Sequence, residues 1–162
     1  MSRRFFWMWI LLLTVTLVAC RAETTAPDIS VAPLPTLDPA QVARGREIYL
    51  QNCASCHGVD AEGATDWPTP SPDGLPPAPP HDDSGHTWHH SDRVLYETIR
   101  MGMGDPLRPG SPLRMPAFDD KLSDTEIWAV VEYFKSLWTK ENRLYQSDET
   151  FKDFASTQSR QK

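Results

Sequence analysis

Proline placement is the strongest constraint on how this chain can fold. The 162 residues include 15 prolines, and seven of these lie in the segment TDWPTPSPDGLPPAPP at residues 65–80. Proline fixes its own φ angle and lacks the backbone N–H that helices and sheets use. This segment is therefore predicted to be a loop of turns and polyproline-like stretches, and regular structure must form on either side of it.

Two helices are predicted to flank this loop. The first begins at Pro39, after Asp38 as N-cap, and runs over about 39–52. The second begins after Ser91 and runs to about Met101. Their core-facing residues are predicted to be Val42, Gly45, Ile48 and Tyr49 in the first helix, and Val94, Leu95, Thr98 and Ile99 in the second.

The third helix has the clearest pattern. Ser123 and Glu126 form a predicted capping box. Residues 139–162 are polar and lack a helical apolar pattern, which predicts a disordered tail. Because no segment alternates like a strand, the fold is predicted to be all-α with long loops. The apolar stripe of the third helix consists of Ile127, Val130, Val131, Phe134 and Trp138.

The first residues have the layout of an export signal. Arg3 and Arg4 precede an apolar run from Phe5 to Ala19, which is shorter than the ~18 to 20 residues of a spanning helix, although a transmembrane anchor is the alternative. Leu17-Val18-Ala19-Cys20 resembles a bacterial lipoprotein box.

This resemblance implies that residues 1–19 are a signal peptide and that Cys20 is lipidated. Residues 20–36 then form a flexible tether. Several acyl chains on one cysteine give stable membrane anchoring. The expected location is the membrane surface that faces the periplasm or the cell exterior.

Charge argues against one class of partner. Removing Arg3 and Arg4 leaves 14 basic against 22 acidic residues, a net charge of −8 with neutral histidines. Nucleic acid is therefore not expected to bind, since its backbone is recognised by basic surfaces.

Cys53-Ala54-Ser55-Cys56-His57 is the motif that carries chemistry, and it has three interpretations: a redox dithiol, half a zinc site, or a c-type haem attachment. Two thiols one turn apart can add to the two vinyl groups on one haem edge, and the next residue can present an imidazole to the iron. A zinc site would pair Cys53 and Cys56 with His86 and His90, but 29 residues separate the halves instead of about 12 to 15. The motif and the export signal together favour one covalent haem c.

A second motif is the segment HDDSGHTWHH at residues 81–90. It could hold a second metal, copper or zinc, with Asp82 or Asp83 contributing. The favoured alternative is a polar loop that caps the next helix and contacts the haem propionates, because spacing alone fixes no ligand geometry. The four candidate ligands are His81, His86, His89 and His90.

The chain resembles the class I cytochromes c, especially bacterial monohaem and lipid-anchored members. The resemblance covers about residues 37–138, with Cys53-x-x-Cys56-His57, Met115-Pro116-Ala117-Phe118 and the closing helix LSDTEIWAVVEYFKSLW. It implies an all-α cytochrome c-like fold of three to four helices around a covalently attached haem. It also implies that Gly45 lets the first helix cross the last helix closely, against an aromatic residue at Tyr133.

Three methionines are candidates for the sixth iron ligand. Pro116 disfavours helix at Met115 and keeps it extended. Met115 also lies just before the closing helix, as the axial methionine of the family does. Met103, between two glycines, is the next candidate, and Met101 is expected to fill the core instead.

The resemblance also implies an acceptor for the second ring nitrogen of His57. In the family this acceptor is a carbonyl of a proline loop, and the backbone of residues 67–70 is expected to supply it. Trp67 and Trp88 could either wall the haem or fill core.

The expected function is electron transfer, not catalysis. His/Met ligation leaves no open position on the iron and suits a carrier of single electrons between membrane-associated redox partners. Two alternatives are a fixed haem subunit of a larger oxidase or dehydrogenase, and a haem sensor or enzyme whose sixth ligand is displaceable. The expected docking edge carries a net +1 from Arg100, Arg108, Arg114 and Lys121 against Asp105, Asp119 and Asp120.

Overall fold

A computed structural model of the chain describes residues 34–70, 72, 76–104 and 115–160. In these ranges the only strand-like pairing is a single antiparallel bridge between Met103 and Met115. The predicted all-α fold is confirmed. The helices are α1 (Pro39–Asn52), α2 (Ala54–His57), α3 (Asp92–Met101), α4 (Asp124–Ser136) and α5 (Lys140–Arg160), with a 3₁₀ turn at Thr87–His89.

Residues 1–33 lie outside the described residues. The signal peptide, the lipidated Cys20 and most of the tether therefore stay predictions. None of the helices in the described ranges has the length and apolar character needed to cross a membrane.

The predicted caps begin the three main helices. The Asp38 side chain accepts a hydrogen bond from the backbone N–H of Ala40 at the start of α1. Ser91 accepts from the backbone N–H of Val94 at the start of α3. Ser123 and Glu126 form both bonds of the capping box at α4. These caps satisfy backbone N–H groups that have no partner within the helix.

Gly45 allows α1 and α4 to cross in close contact. A Cβ atom at this position would overlap the carbonyl of Ala129 and would lie 2.9 Å from the Cβ atom of Tyr133. The Tyr49 ring packs 5.2 Å from the Tyr133 ring beside this crossing. The expected roles of Gly45 and Tyr133 are confirmed. The fully buried core side chains include Tyr49, Ile127, Val130 and Val131.

The expected disordered tail is wrong for most of its length, because Lys140–Arg160 form helix α5. The helix packs against the 3₁₀ turn and the start of α3 through polar groups and through the Tyr145 ring, which lies edge-on to Trp88 at 5.5 Å. Gln146 is buried and donates to the carbonyl of His90 at 3.2 Å and to Asp92 at 2.6 Å. Phe151 and Phe154 are exposed, so they do not form the buried apolar stripe by which a packed helix is usually recognised in a sequence.

Asp153 makes a second attachment of α5. Its carboxylate accepts hydrogen bonds from Arg93 at 2.7 and 2.8 Å and from the Ser91 hydroxyl at 2.9 Å. The Arg93 and Ser91 hydrogen bonds hold the pKa of Asp153 below its ordinary value. Such a carboxylate stabilises the folded protein above its unfolded pKa, and the contribution is lost as the pH falls through the folded pKa.

Replacement of Asp153 by asparagine should therefore lower the melting temperature of the folded protein at pH 7 by more than it does near pH 3. The difference between parent and variant should shrink below about pH 4, the ordinary range of an aspartate. Melting curves at both pH values test this. Asp148→Asn is the matched control, because Asp148 pairs with Lys152 within α5 alone. An equal deficit at both pH values would contradict the ionic attachment.

Candidate cofactor site

The two thiols of the motif lie one helical turn apart at the junction of α1 and α2. Cys53 ends α1, with its N–H bonded to the carbonyl of Tyr49 at 2.8 Å. Its own carbonyl accepts from the N–H of His57 at 3.0 Å, which starts the turn of α2. Cys53 is buried and Cys56 is exposed. The pair therefore presents one thiol towards the core and one at the surface.

The electrostatics of Cys53 do not suit a redox dithiol. Burial, with a smaller contribution from Cys56, raises the pKa of the Cys53 thiol to about 11. A reactive dithiol requires a thiolate, which positive neighbours must stabilise. The described residues supply no such stabilisation at Cys53.

His57 has one ring nitrogen fixed by the protein. Its Nδ1 atom lies 2.9 Å from the carbonyl oxygen of Pro79. A carbonyl can only accept, so Nδ1–H donates and the lone pair is left on Nε2, the tautomer that binds a metal. Burial lowers the pKa of His57, while the Pro79 bond opposes that shift. His57 is thus a neutral imidazole with an oriented Nε2 atom.

The expected acceptor for His57, the backbone of residues 67–70, is wrong. The chain returns to the motif at the end of the proline segment: the N–H of Ala64 donates to the carbonyl of Ala78 at 2.9 Å, and the N–H of His81 donates to Ala61 at 2.8 Å. These two bonds place Pro79 beside His57. Local sequence identified the loop but not which end of it closes on the motif.

The three methionines differ in placement. Met115 is half-buried and packs against the core cluster, whereas the exposed fractions of Met101 and Met103 are 61% and 54%. The expectation that Met101 fills the core is therefore wrong. Met103 and Met115 exchange backbone hydrogen bonds of 2.9 and 3.1 Å. Opposite residues of an antiparallel pair project to the same face, so Met103 stays the alternative to Met115.

Gly102 shapes the segment that carries Met115. Its φ angle is +70°, and a Cβ atom there would lie 2.5 Å from the carbonyl oxygen of Met115 and 2.7 Å from the nitrogen of Ala117. Only glycine adopts this backbone conformation without strain. Gly102, which ends α3 as its C-cap, therefore also lets the Met115 segment approach the helix.

The four candidate histidines of the 81–90 loop do not meet at one point. His81 is buried between other rings, His86 stacks on Trp67 at 5.6 Å, and His89 stacks on Trp88 at 3.7 Å. His90 contacts the edge of His86. Across the described ranges, no three His, Cys, Asp or Glu side chains are grouped as a metal site requires. The zinc and second-metal hypotheses therefore find no supporting arrangement there.

Two aspartates of this loop have structural contacts. Asp83 accepts from the backbone N–H of Thr139 at 2.9 Å and from the Asn142 side chain at 2.7 Å. Asp82 accepts from the N–H and hydroxyl of Ser84. The loop is therefore attached to the start of α5.

Trp88 contains an unusual buried donor. Its ring packs against the core cluster, but its Nε1–H is buried and has no hydrogen-bond acceptor in the part of the chain that the structure describes. A buried donor without an acceptor costs about 1–3 kcal/mol. An acceptor supplied by a bound group would remove that cost. Trp67, by contrast, is half-buried and stacks on His86.

The expected docking edge is only partly described. Arg100, Lys121, Asp119 and Asp120 are exposed. The backbone N–H of Asp119 donates to the carbonyl of Arg100 at 3.1 Å, which brings the end of α3 next to this turn. Arg108, Arg114 and Asp105 lie outside the described residues.

Comparison with known proteins agrees with the interpretation of the motif as a c-type haem attachment. The family model for cytochrome c matches residues 42–138. A relative in Azospirillum sp. (strain B510), named Cbb3-type cytochrome c oxidase subunit CcoP, is 33% identical over 100 residues. A subunit CcoP of Rhodobacter capsulatus is 31% identical over 103 residues. A Cbb3-type cytochrome c oxidase subunit FixP of Bradyrhizobium sp. (strain ORS 278) is 32% identical over 108 residues.

These similarities cover much of this chain but little of each relative. The alignments take in 62%, 62% and 67% of this chain, in the order given. They span 30%, 30% and 31% of the respective relatives. The likeness is therefore to one part of a longer subunit.

Proposed function

The chain belongs to the cytochrome c family, and from that premise we propose that it transfers single electrons through one covalently bound haem c. Cys53 and Cys56 form the two thioether bonds, and His57 and Met115 bind the iron. The observation that carries the proposal is the hydrogen bond from Nδ1 of His57 to Pro79, at 2.9 Å, which leaves Nε2 as the free metal-binding atom.

The described residues fit such a group. The two thiols lie on one turn beside the oriented imidazole. Met115 offers a soft sulfur from a half-buried position in a separate segment. The Trp88 N–H is a buried donor that a haem propionate could satisfy.

Each residue then has a distinct role. Bound haem supplies a reversible one-electron change at its iron. His57 would bind the iron through Nε2, and the Pro79 carbonyl keeps its ring in the binding tautomer. Met115 would supply a second ligand, whose thioether sulfur would favour the reduced iron and leave no open position for small ligands. With His57 and Met115 both bound to the iron, the domain would serve electron transfer and not catalysis.

We favour electron transfer within an oxidase complex over electron transfer by a free carrier. The relatives are named as subunits of cbb3-type cytochrome c oxidases, which favours a haem subunit of such a complex over a free shuttle between membrane-associated partners. Anchoring through a lipidated Cys20, on the periplasmic or outer face of the membrane, would hold the domain near such a complex.

Optical spectra of the exported chain test the haem assignment. The chain is produced in a host that attaches haem c, and oxidised and reduced spectra are recorded before and after the addition of carbon monoxide or cyanide. We expect covalent, low-spin haem with slow and weak ligand binding. Rapid, tight binding would instead favour a sensor or an enzyme with a displaceable sixth ligand, and absence of covalent haem would refute the proposal.

Purification of the protein from its native membranes tests whether it is a subunit of a complex or a separate carrier. After mild detergent extraction, a subunit should stay with oxidase haems through size-exclusion chromatography in salt, whereas a shuttle should separate. Cys20→Ala is the informative variant: a shuttle held by lipid alone should leave the membrane fraction, but a subunit should be retained in part by its complex.

A further inference from the structure

His81 is a buried imidazole that the proposed electron-transfer site does not yet use. Its exposed fraction is 9%, and it lies two residues after Pro79, the acceptor for His57. A buried polar ring requires partners on its edge and close packing on its faces. Both are present.

The two faces of His81 are covered by parallel rings. The His57 ring lies on one face, with ring centroids 4.3 Å apart and planes inclined by 28°. The Phe134 ring also stacks on His81, at 4.2 Å and 23°. Tyr49 contacts His81 edge-on at 6.3 Å. The stack of His57, His81 and Phe134 therefore connects α2 with α4.

The edge and backbone of His81 are fixed as well. The Thr87 hydroxyl donates to the carbonyl of Pro80 at 3.2 Å, so it accepts from Nδ1–H of His81 at 2.9 Å. The Nε1–H of Trp138 donates to the carbonyl of His81 at 2.8 Å. With the backbone N–H bonded to Ala61, His81 cannot turn without breaking several of these contacts.

We propose that His81 is a positioning residue that sets the plane of the His57 imidazole by stacking on its face. The proposal rests on His57 being the iron ligand of the proposed function. The bond from Nδ1 of His57 to Pro79 directs one atom of the ring. The terminal torsion of a histidine is broad, so one hydrogen bond leaves the ring plane soft.

The stack supplies the missing restraint. A ring pressed against the face of His57 opposes rotation about its Cβ–Cγ bond, and Phe134 supports the far side of His81. The plane of an axial imidazole determines how the ferric iron orbitals split, which the g-values of the low-spin ferric state report. An aliphatic side chain of similar size would fill the space without defining a plane.

Ferric electron paramagnetic resonance of the haem-loaded chain tests this role, with redox titration as a second readout. The variants are His81→Leu, which removes the ring, and His81→Phe, which keeps a stacked ring. We expect shifted and broadened g-values and a shifted redox equilibrium for His81→Leu, and near-parent values for His81→Phe. His86→Leu is the matched control, because His86 stacks on Trp67 in the same loop.

The possible results distinguish a failure of the proposed function from a failure of the proposed role of His81. A parent protein without low-spin haem ligated by His57 would refute the proposed function itself. Given a normal parent, His81→Leu with parent g-values would overturn the positioning role, as would His81→Phe shifted as far as His81→Leu. If His81→Leu does not fold, His81→Gln removes the stacked ring but keeps a polar side chain beside the Thr87 hydroxyl, and parent g-values in that variant would overturn the proposal.

Discussion

Met115→Ala should abolish the ferric sulfur-to-iron absorption band completely while leaving the haem covalently attached. The reason is that Met115 supplies the only half-buried thioether among the methionines of the described residues, and its segment is held against Gly102 and Met103. Loss of the sulfur should also lower the reduction potential, since Met ligation raises it. Cyanide should then bind rapidly to the open position.

Met103→Ala is the matched control for that experiment. It removes the same side chain from the opposite residue of the bridge, whose exposed fraction is 54%. Its absorption band and potential should stay close to those of the parent. Loss of the band in Met103→Ala alone would reverse the assignment of the axial ligand.

Gly45→Val should destabilise the folded protein by about 2–4 kcal/mol, the range of severe overpacking. The added Cβ would overlap the backbone carbonyl of Ala129, which cannot move without shifting α4. The better helix propensity of valine offsets only a few tenths of a kcal/mol. Thermal melting of the haem-loaded protein should show a loss of about 10 °C.

Ala43→Val controls for the branched side chain within the same helix. Ala43 is exposed, so the substitution should cost less than about 1 kcal/mol through helix propensity alone. Equal losses in the two variants would show that the crossing of α1 and α4 does not depend on Gly45.

The helices that begin with local caps could be predicted from the sequence. Asp38, Ser91 and Ser123 each act within three residues of their own position, so the starts of α1, α3 and α4 agree with prediction. The haem interpretation of Cys53-x-x-Cys56-His57 likewise depends on five neighbouring residues. Gly45 was found through family resemblance, because its reason, the carbonyl of Ala129, is distant in the chain.

The features that were missed depend on partners far along the chain. Helix α5 is held by Gln146 and Asp153, whose partners are 54 to 62 residues away. The sequence around a polar residue does not show whether its side chain will form hydrogen bonds with water or with a group far along the chain. The same holds for His81, because its position in the sequence places it among the other histidines of the loop, although its burial depends on Phe134.

The attachment of α5 also has a consequence for local opening. Its contacts with the 3₁₀ turn and α3 are hydrogen bonds, ion pairs and the edge-on packing of the half-exposed Tyr145 ring on Trp88, whereas α1 and α4 share fully buried apolar side chains. Regions with few buried apolar contacts open at lower free energy than the core. Amide hydrogens of α5 should therefore exchange with solvent through detachment of that helix alone, while those at the crossing of α1 and α4 wait for the whole domain to unfold.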